Sequence, residues 1–328
     1  MRRILLPLTP LYAAAVAAKS LAFDHRWAKT QHLRWPVISV GNISVGGSGK
    51  TPFVIYLAKL LKRQGMHVDV LSRGYGRHSN AVERVDPAGD AERFGDEPLL
   101  VAQSAEVPVY VGARRYDAGV LAEKDYAASG IHLLDDGFQH RKLARMVDIV
   151  LLHRADFQET LLPSGRLREP FSSLRRASIL VLREGDEDLE QKLKEQGIEK
   201  PVWWIHRSIA VPGDVEKIVA FCGIARPDEF FDMLAQRNVK TVAKHAFRDH
   251  HRYSELDIQQ LMEEARGRSA SAFITTEKDL VRLTAVQKEM LASVATIQAA
   301  KLEASLRDEA SAVRYFETLL SSSSNRPL

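Results

Sequence analysis

Residues 37–52 read Val37-Ile38-Ser39-Val40-Gly41-Asn42-Ile43-Ser44-Val45-Gly46-Gly47-Ser48-Gly49-Lys50-Thr51-Pro52. An apolar run rich in β-branched residues leads into a glycine-rich segment, and that segment leads into a helix start. Gly46, Gly47 and Gly49 permit a tight turn, so consecutive backbone N–H groups can face an anion at the positive end of the helix. Ser48 lies between the last two glycines. The pattern predicts a phosphate-binding loop between a buried strand and a helix.

The side chains of this loop predict a nucleoside triphosphate as its ligand. Lys50 would reach the β- and γ-phosphates, and the Thr51 hydroxyl would bind Mg²⁺. The usual pattern has a glycine five residues before Gly49, and Ser44 stands there instead, which weakens the formal match. The amphipathic pattern over residues 53–61 supports the assignment, because a helix must follow such a loop.

Composition limits the classes of protein that the chain can belong to. Its 328 residues, 45% of them hydrophobic, can form a large core and suggest about two domains. The single cysteine, Cys222, excludes an intramolecular disulfide and favours a reducing compartment. The net charge is +4, and no long basic run is interleaved with aromatic residues, so we expect no nucleic-acid partner. A mildly basic chain suits anionic lipid or phosphate equally well.

The first 27 residues are apolar and alanine-rich. A signal peptide is not expected, because the first core strand begins about nine residues after Trp27. A spanning helix needs about 20 mainly apolar residues, whereas Pro7 and Pro10 interrupt the front of this segment and Lys19 interrupts the back. With Thr9 as its cap and Pro10 in its first turn, we expect an amphipathic helix from about Pro10 to Trp27.

Two positions for this helix fit its sequence. Its apolar side chains stand close to basic residues, so it could lie in a membrane surface. It could equally pack against the body of the protein. The basic residues in or near it are Arg2, Arg3, Lys19, Arg26 and Lys29.

Beyond the helix, strand-like and helical segments alternate, which predicts a parallel sheet covered on both faces, with the ligand at the carboxyl ends of the strands. The fold class is therefore α/β, with a P-loop NTPase-like sheet sandwich. The predicted strands of this part are Val37–Val40, His67–Leu71, Val107–Val111, Ile131–Leu134, Asp148–Leu152 and Ser178–Leu182.

The texture of the sequence changes after about Arg183, where an acidic stretch precedes a short aromatic strand, Pro201–Ile205. A second, smaller α/β series follows, and a helix over Leu306–Leu320 and a serine-rich tail close the chain. We expect the tail from Ser321 to be disordered. The predicted units are residues 1–30, 31–183 (nucleotide-binding), 184–305 (smaller α/β domain) and 306–328 (helix and tail).

Three further segments carry candidate catalytic or metal-binding groups. Asp135 and Asp136 end an apolar strand, where a nucleotide-binding sheet places its metal-facing acid, although an acidic turn is a competing interpretation. Asp96 and Glu97 stand at a helix start, where Asp96 could be a general base or merely a cap. His250, in a loop, could orient such a carboxylate, but most lone loop histidines are ordinary surface residues.

Several motifs occur in the same order as in the tetraacyldisaccharide 4′-kinase family of lipid A synthesis, and the chain resembles that family over nearly its whole length. Ser44 in the loop is itself a feature of the family. The motifs are Ser39–Asn42 through Pro52, Ser72–Gly76, Gly95–Pro98, Asp135–His140, Gly165–Pro170, Phe247–His250 and Thr275–Asp279.

The resemblance implies a kinase that moves the γ-phosphate of ATP to the 4′-hydroxyl of tetraacyldisaccharide 1-phosphate, a tetraacylated glucosamine disaccharide, forming tetraacyldisaccharide 1,4′-bisphosphate (lipid IVA). It implies a peripheral position at the cytoplasmic face of the inner membrane, and a short β-ribbon joining two α/β lobes. Asp96 and His250 would form a catalytic pair, and Arg168 would lie near the nucleotide. The residues expected around Mg²⁺ are Thr51, Glu97, Asp135, Asp136 and Gln139.

Three rival classes share parts of the pattern. A switch ATPase of the partitioning type shares the glycine-rich loop, but its signature lysine position is Val45 here. A metallochaperone-type GTPase would need an Asn/Thr-Lys-x-Asp base reader, and residues 276–279 (Thr-Glu-Lys-Asp) have the wrong order. A membrane-binding module without catalysis would explain the first helix but not the loop or the Asp135–Asp136 strand end.

Overall fold

The computed structural model describes residues 2–126, 128–213 and 216–324. Its α-helices are α1 (Thr9–Asp24), α2 (Lys50–Arg63), α3 (Ala91–Phe94), α4 (Asp96–Ala105), α5 (Arg115–Asp125), α6 (Glu187–Glu195), α7 (Pro227–Gln236), α8 (Glu255–Gly267), α9 (Glu277–Arg282), α10 (Ala285–Ala292) and α11 (Glu309–Ser324). Its strands are β1 (Val37–Asn42), β2 (Val68–Ser72), β3 (Glu83–Arg84), β4 (Val109–Val111), β5 (Ile131–Asp135), β6 (Val147–Leu151), β7 (Ile179–Arg183), β8 (Val202–Ala210), β9 (Ile218–Cys222), β10 (Thr241–Ala246), β11 (Ala272–Thr276) and β12 (Thr296–Leu306).

The described strands form one 12-stranded sheet in the order β10-β9-β11-β12-β8-β7-β6-β1-β5-β2-β4-β3. Pairing is parallel except between β12 and β8 and between β3 and β4. β1 lies between β6 and β5, and its register places Val40 beside Asp135. Because parallel strands end at the same edge, the glycine-rich loop and this acid share one edge of the sheet. The predicted α/β, P-loop NTPase-like fold class is confirmed.

The six strands predicted for the first part are all present, with ends within two residues of those expected. Two strands, β3 and β10, were not predicted from the sequence. β3 has two residues and is polar, and β10 is an edge strand that is only partly buried, so neither has the apolar run by which a strand is predicted. Edge strands need not be apolar, since one side of their ladder has no partner.

β8 is longer than the short aromatic strand expected over Pro201–Ile205, and β12 is longer than the strand that the sequence predicts near Val294–Ile297. β8 pairs parallel with β7 over Val202–Ile205, and its remainder pairs antiparallel with the end of β12. The start of β12 pairs parallel with β11. These two strands therefore form the β-ribbon through which the sheet continues from one part of the chain to the other.

Separate apolar cores lie on the two sides of this ribbon. The larger core covers one face of the first part and includes Phe53, Leu57 and Phe316, so α11 packs back against α2. Cores in the second part lie on both faces of β9 and β11. The tail from Ser321 was expected to be disordered, but α11 runs through Ser324. Residues 325–328 lie outside the described residues. The division of the chain at residue 183 stays a prediction.

Helix α1 differs in detail from its sequence prediction. A 3-10 helix, Arg2–Leu8, runs directly into it, so Leu8 takes the cap position that was assigned to Thr9, and the Thr9 hydroxyl pairs instead with Ser164 Oγ at 2.7 Å. The helix is not strongly amphipathic, because alanine and other apolar residues are spread around it, and none of its residues is buried. The Met1 part of the predicted 1–30 unit lies outside the described residues.

One helical stretch in the described part of the chain, Leu5–Asp24, is long and apolar enough to cross a membrane. Signal sequences pass the same test of length and composition, so this test does not decide the position of the helix. Polar contacts tie the stretch to the body of the protein: Tyr12 Oη donates to the Arg168 carbonyl (2.9 Å), and Lys19 Nζ donates to that of Gln139 (3.1 Å). Arg141 Nη2 also binds Asp24 Oδ1 at 2.8 Å.

A buried histidine–aspartate pair lies at the amino-terminal edge of the sheet, opposite the loop. His132 Nδ1 contacts Asp69 Oδ1 at 2.8 Å, and neither side chain is more than 1% exposed. The imidazole stacks on Trp35, with the ring centroids 4.9 Å apart. Burial of a polar group is unfavourable unless a hydrogen-bond partner compensates it, and Asp69 is the closer of the two carboxylates that contact His132; Glu123 Oε1 lies 3.4 Å from Nε2.

We expect Asp69→Ala to lower the free energy of unfolding by about 1 to 3 kcal/mol, because His132 Nδ1 would remain buried without its hydrogen-bond partner. Chemical denaturation followed by circular dichroism measures this change. The matched control is Asp117→Ala, which breaks a surface pair with Arg114 and should cost less than about 1 kcal/mol. Equal losses from both variants would show that the buried pair contributes nothing special.

Candidate active site

The glycine-rich loop leaves the end of β1 and enters α2 at Lys50. Gly46 and Gly49 have φ angles of +106° and +83°, which side chains rarely tolerate, so glycine is required at both positions. Asn42 Nδ2 donates to Ser48 Oγ at 2.9 Å, and Val45 N–H donates to the Arg166 carbonyl at 2.8 Å. The loop is thus braced from inside and from the segment before Arg168.

Asp136 joins Lys50 to Arg168. Its carboxylate lies 3.4 Å from Lys50 Nζ and accepts from Arg168 Nη1 at 2.7 Å. Burial alone would raise the pKa of Asp136, but these two positive charges outweigh it and hold the pKa well below the usual range. Gln139 lies alongside: its Nε2 donates to the Asn42 carbonyl (2.9 Å), and its Oε1 faces Arg168 Nη1 at 3.4 Å. Its expected metal contact stays a prediction.

Asp135 stands in a crowded group of acids. It is 2% exposed and accepts a hydrogen bond from Ser72 Oγ at 3.2 Å. Burial, together with the negative charges of Glu97 and Asp136, raises the pKa of Asp135 to about 7. Excess negative charge of this kind, beside the loop and Thr51, is relieved by a bound cation.

The donor set fits Mg²⁺ in the manner usual for nucleotide sites. The residues that the structure describes include no group of three or more His, Cys, Asp or Glu side chains arranged to hold a metal. Mg²⁺ bound with a nucleotide needs only one or two protein oxygens, since phosphates and water complete its octahedron. Asp135, Glu97 and the Thr51 hydroxyl are oxygen donors of the right kind.

Asp96 and His250 are in contact, although 154 residues separate them in the sequence. His250 Nδ1 lies 3.0 Å from Asp96 Oδ2. Lys278 Nζ approaches His250 Nε2 at 3.3 Å and binds Glu97 Oε1 at 2.7 Å. An ionised carboxylate only accepts and an ammonium only donates, so the contacts with Asp96 and Lys278 favour a proton on Nδ1 and an acceptor at Nε2. Arg282 Nη2 stands 3.2 Å from the same Nδ1. The alternative of an isolated surface histidine is excluded.

The sequence also suggests that a histidine bound to Asp96 would raise the basicity of its carboxylate, and the structure contradicts this expectation. Burial favours a raised pKa, but the His250 hydrogen bond and the positive charges of Arg282 and Lys278 outweigh it and hold the pKa of Asp96 well below its ordinary value. A donor to the charged form stabilises that form. Asp96 is therefore a firmly ionised and oriented carboxylate.

A cavity of about 1120 Å³ joins the loop to the other candidate residues. Its wall contains the loop residues from Gly46 to Thr51, together with Glu97, Asp135, Asp136, Gln139, Arg168 and His250. Asp96 is 8% exposed and lies behind Glu97 and His250. The other end of the cavity is lined by Tyr12, Val16 and Phe23 of α1 and by the basic residues Lys19, Arg73, Arg114, Arg115, Arg141 and Lys142.

Several charged residues at the site have no counterpart in the sequence prediction. Ala225 and Arg226, after β9, pack on Gly46 and Gly47, and the Arg207 guanidinium packs on Gly49. Arg207 is held by Glu229 at 3.6 Å, while its buried Nε and Nη1 have no hydrogen-bond partner. A charged residue in the middle of a strand, between the apolar ends of β8, was the signal that could have identified Arg207. Arg282, which binds Asp96 Oδ2 at 2.7 Å, had no such signal.

Known proteins with similar sequences and structures all point to one family. The chain matches the family model "Tetraacyldisaccharide-1-P 4′-kinase" over residues 1–321. It is 44% identical to the tetraacyldisaccharide 4′-kinase of Koribacter versatilis, covering 92% of this chain and 94% of that one, and 37% identical to that of Aquifex aeolicus, covering 86% and 90%.

A solved structure agrees with these relatives. LpxK from Aquifex aeolicus, crystallised in complex with ATP, superposes with a TM-score of 0.77 at 33% identity, covering 97% of this chain and 99% of that chain. The match thus extends through both parts of the sheet. The chain belongs to the tetraacyldisaccharide-1-P 4′-kinase family.

Proposed function

We propose that this protein transfers the γ-phosphate of ATP to the 4′-hydroxyl of tetraacyldisaccharide 1-phosphate, forming tetraacyldisaccharide 1,4′-bisphosphate in lipid A biosynthesis. The observation that carries this proposal is that one cavity is lined by the glycine-rich loop and by His250, which contacts Asp96. Family membership supports it and does not favour a partitioning ATPase or a metallochaperone GTPase. A switch protein does not need a carboxylate–histidine pair near its phosphate-binding loop, because it has no hydroxyl acceptor to deprotonate.

The loop and its surrounding cations would hold the triphosphate. Backbone N–H groups of Gly46, Gly47, Ser48 and Gly49 would face the phosphates, and Lys50 would exchange part of its contact with Asp136 for phosphate oxygens. Arg168, which also contacts Asp136, could likewise turn from this carboxylate to the phosphates. Arg207, with its unpartnered N–H groups next to Gly49, supplies a further donor from the β-ribbon.

Mg²⁺ would be held by Thr51 and by the acids Asp135, Glu97 and Asp136, with Gln139 beside them. When bound, it neutralises charge on the phosphates during transfer. The chain itself prepares this position, because the proton that burial favours on Asp135 would give way to a cation. Lys278 compensates Glu97 from the second part of the chain.

Asp96 would accept the proton of the acceptor's 4′-hydroxyl, and His250 would hold Asp96 in place. The new bond forms between the 4′-oxygen and the γ-phosphorus, the bond from that phosphorus to the β,γ-bridging oxygen breaks, and the hydroxyl proton passes to Asp96 as ADP leaves. Phosphoryl transfer needs positioning and charge neutralisation more than a strong base, so a carboxylate of low basicity suffices.

The acceptor is a lipid, and the cavity end formed by α1 has the matching chemistry. Apolar side chains of α1 stand beside basic residues that would bind the acceptor's 1-phosphate. Leu5, Leu6, Leu8, Leu11 and Leu21 are exposed, as expected of a segment that enters a lipid surface. We place the protein peripherally at the cytoplasmic face of the inner membrane, with residues 31–183 and 184–305 as its two α/β units.

The direct test is phosphorylation of the disaccharide 1-phosphate by ATP in detergent, followed by product mass and phosphate position. We expect the wild type to form the 1,4′-bisphosphate and Lys50→Ala to lose turnover by orders of magnitude, since a charge on the β- and γ-phosphates is removed. The control is Lys62→Ala, at the exposed end of α2. Hydrolysis of ATP without transfer to the acceptor would remove the kinase assignment.

The Asp96–His250 contact predicts that the two residues act as one unit. We expect Asp96→Ala and His250→Ala each to reduce kcat by about 10²-fold or more, with little change in the KM for ATP. The double variant should be hardly worse than the worse single variant. Multiplicative losses in a steady-state assay would show that the residues act independently, and a change confined to the ATP KM would make Asp96 a nucleotide ligand.

The exposed leucines predict binding to membranes. Deletion of residues 1–29 should reduce co-sedimentation with vesicles that contain anionic lipid, and part of the loss should be salt-sensitive because basic residues are removed. Leu6→Gln with Leu11→Gln should weaken binding without breaking the polar contacts of α1. Leu256→Gln, at an equally exposed leucine far along the chain, is the control. Unchanged sedimentation of the deletion would reduce α1 to a packing element.

A further inference from the structure

Arg282 is buried at the end of α9 and links three segments that are distant in the sequence. Its side chain is 6% exposed. Nη1 donates to the Gly223 carbonyl (2.7 Å) and to Asp279 Oδ1 (2.8 Å), while Nε donates to Asp96 Oδ2 (2.7 Å). The guanidinium therefore connects the end of β9 and the start of α9 to the start of α4.

Asp279 makes this arrangement rigid. It is fully buried, and its Oδ2 accepts from Thr276 Oγ1 at 2.6 Å while Thr276 Oγ1 caps the helix by accepting from Asp279 N–H. Each oxygen of Asp279 thus has a different partner, one on each side. Asp279 already neutralises the buried guanidinium of Arg282, so the free-energy cost of burying Arg282 next to Asp96 is reduced.

The two donors to Asp96 meet on the same oxygen. His250 Nδ1 lies 3.0 Å from Oδ2, and Arg282 Nε donates to Oδ2 at 2.7 Å. Arg282 also contacts His250 directly, with Nη2 3.2 Å from Nδ1. Among the described residues, no hydrogen bond reaches Oδ1, and this oxygen is not one of the fully buried atoms without a partner, so solvent can reach it. His250 itself is held by its backbone N–H, which donates to the same Gly223 carbonyl that Arg282 Nη1 binds (3.1 Å).

We infer that Arg282 is a positioning residue for the Asp96–His250 pair: it occupies Oδ2 together with His250 and leaves Oδ1 as the oxygen that meets the acceptor hydroxyl. This inference rests on the proposed kinase function for its consequence in catalysis. A lysine could not replace the arginine, because one ammonium cannot bind Asp96, Asp279 and the Gly223 carbonyl in the planar fork that the guanidinium provides.

Steady-state kinetics of Arg282→Lys separates geometry from charge. We expect kcat to fall by about 10²-fold while the KM for ATP stays within about two-fold, since misplacement of a catalytic group by about 1 Å has effects of this size. In an Asp96→Ala background the same substitution should have almost no further effect. Arg266→Lys, on the exposed end of α8, is the matched control. Wild-type kcat, a change in ATP KM alone, or equal proportional losses in both backgrounds would overturn the inference.

A second variant and a second readout cover the remaining cases. Asp279→Asn keeps the shape of the side chain but loosens its hold on Arg282, and it should lower kcat in the same direction if Arg282→Lys does not fold. Nitrogen-15 NMR of the imidazole reports the His250 tautomer without any turnover. We expect the wild type to carry the proton on Nδ1 and Arg282→Lys to change that signal. An unchanged signal would overturn the inference even for a protein that fails as a kinase, whereas an altered signal without phosphotransfer would reject only the kinase proposal.

Discussion

β8 and β12 pair antiparallel from Lys301↔Ala210 to Leu306↔Ile205, and the whole second part of the sheet is attached through this pairing. Each strand also pairs with a neighbour of one side, β8 with β7 and β12 with β11. The register of one ribbon therefore fixes how far the loop after β9 stands from the glycine-rich loop. The contact of His250 with Asp96, and of Arg207 with Gly49, follows from that register. A slip of one residue would turn every side chain of the ribbon to the opposite face.

Charge is arranged around the cavity so that each acid has a specific cation nearby. Asp136 has Lys50 and Arg168, Glu97 has Lys278, and Asp96 has Arg282. Asp135 is the exception, because its surroundings are mostly negative. Asp96, Glu97 and Asp136 are thus each neutralised by a side chain of the protein, whereas Asp135 is the acid at which an added positive charge would be most favourable. Arg207 differs from the cations that pair with these acids, because its buried Nε and Nη1 have no hydrogen-bond acceptor.

The sequence predicted the parts of the fold that depend on local pattern. Buried parallel strands are continuous apolar runs, so β1, β5 and β6 were recognisable, as was the loop through its glycines. Asp96, His250 and Asp136 were predicted as site residues because they stand in short motifs. β3 and β10 escaped because edge strands carry a weak pattern, and the length of β12 escaped because its second half is partly exposed. Arg282 and Arg207 reach the site only through tertiary pairing, which no local window contains. The lowered pKa of Asp96 could not be predicted either, because it depends on the charge of Arg282 as well as on the hydrogen bond with His250.

Cys222 ends β9, next to the Gly223 carbonyl that holds both Arg282 and His250. It is fully buried, and burial together with the negative charge of Asp279 raises the pKa of its thiol to about 12. A thiol of this kind reacts slowly with maleimides and disulfide reagents, because the thiolate is the reactive form. The protein is therefore already suited to labelling: single cysteines placed on either side of the ribbon would be the reactive ones, without prior removal of the native residue. Spin labels or fluorophores at such positions would report the distance between the two parts of the sheet as nucleotide is added.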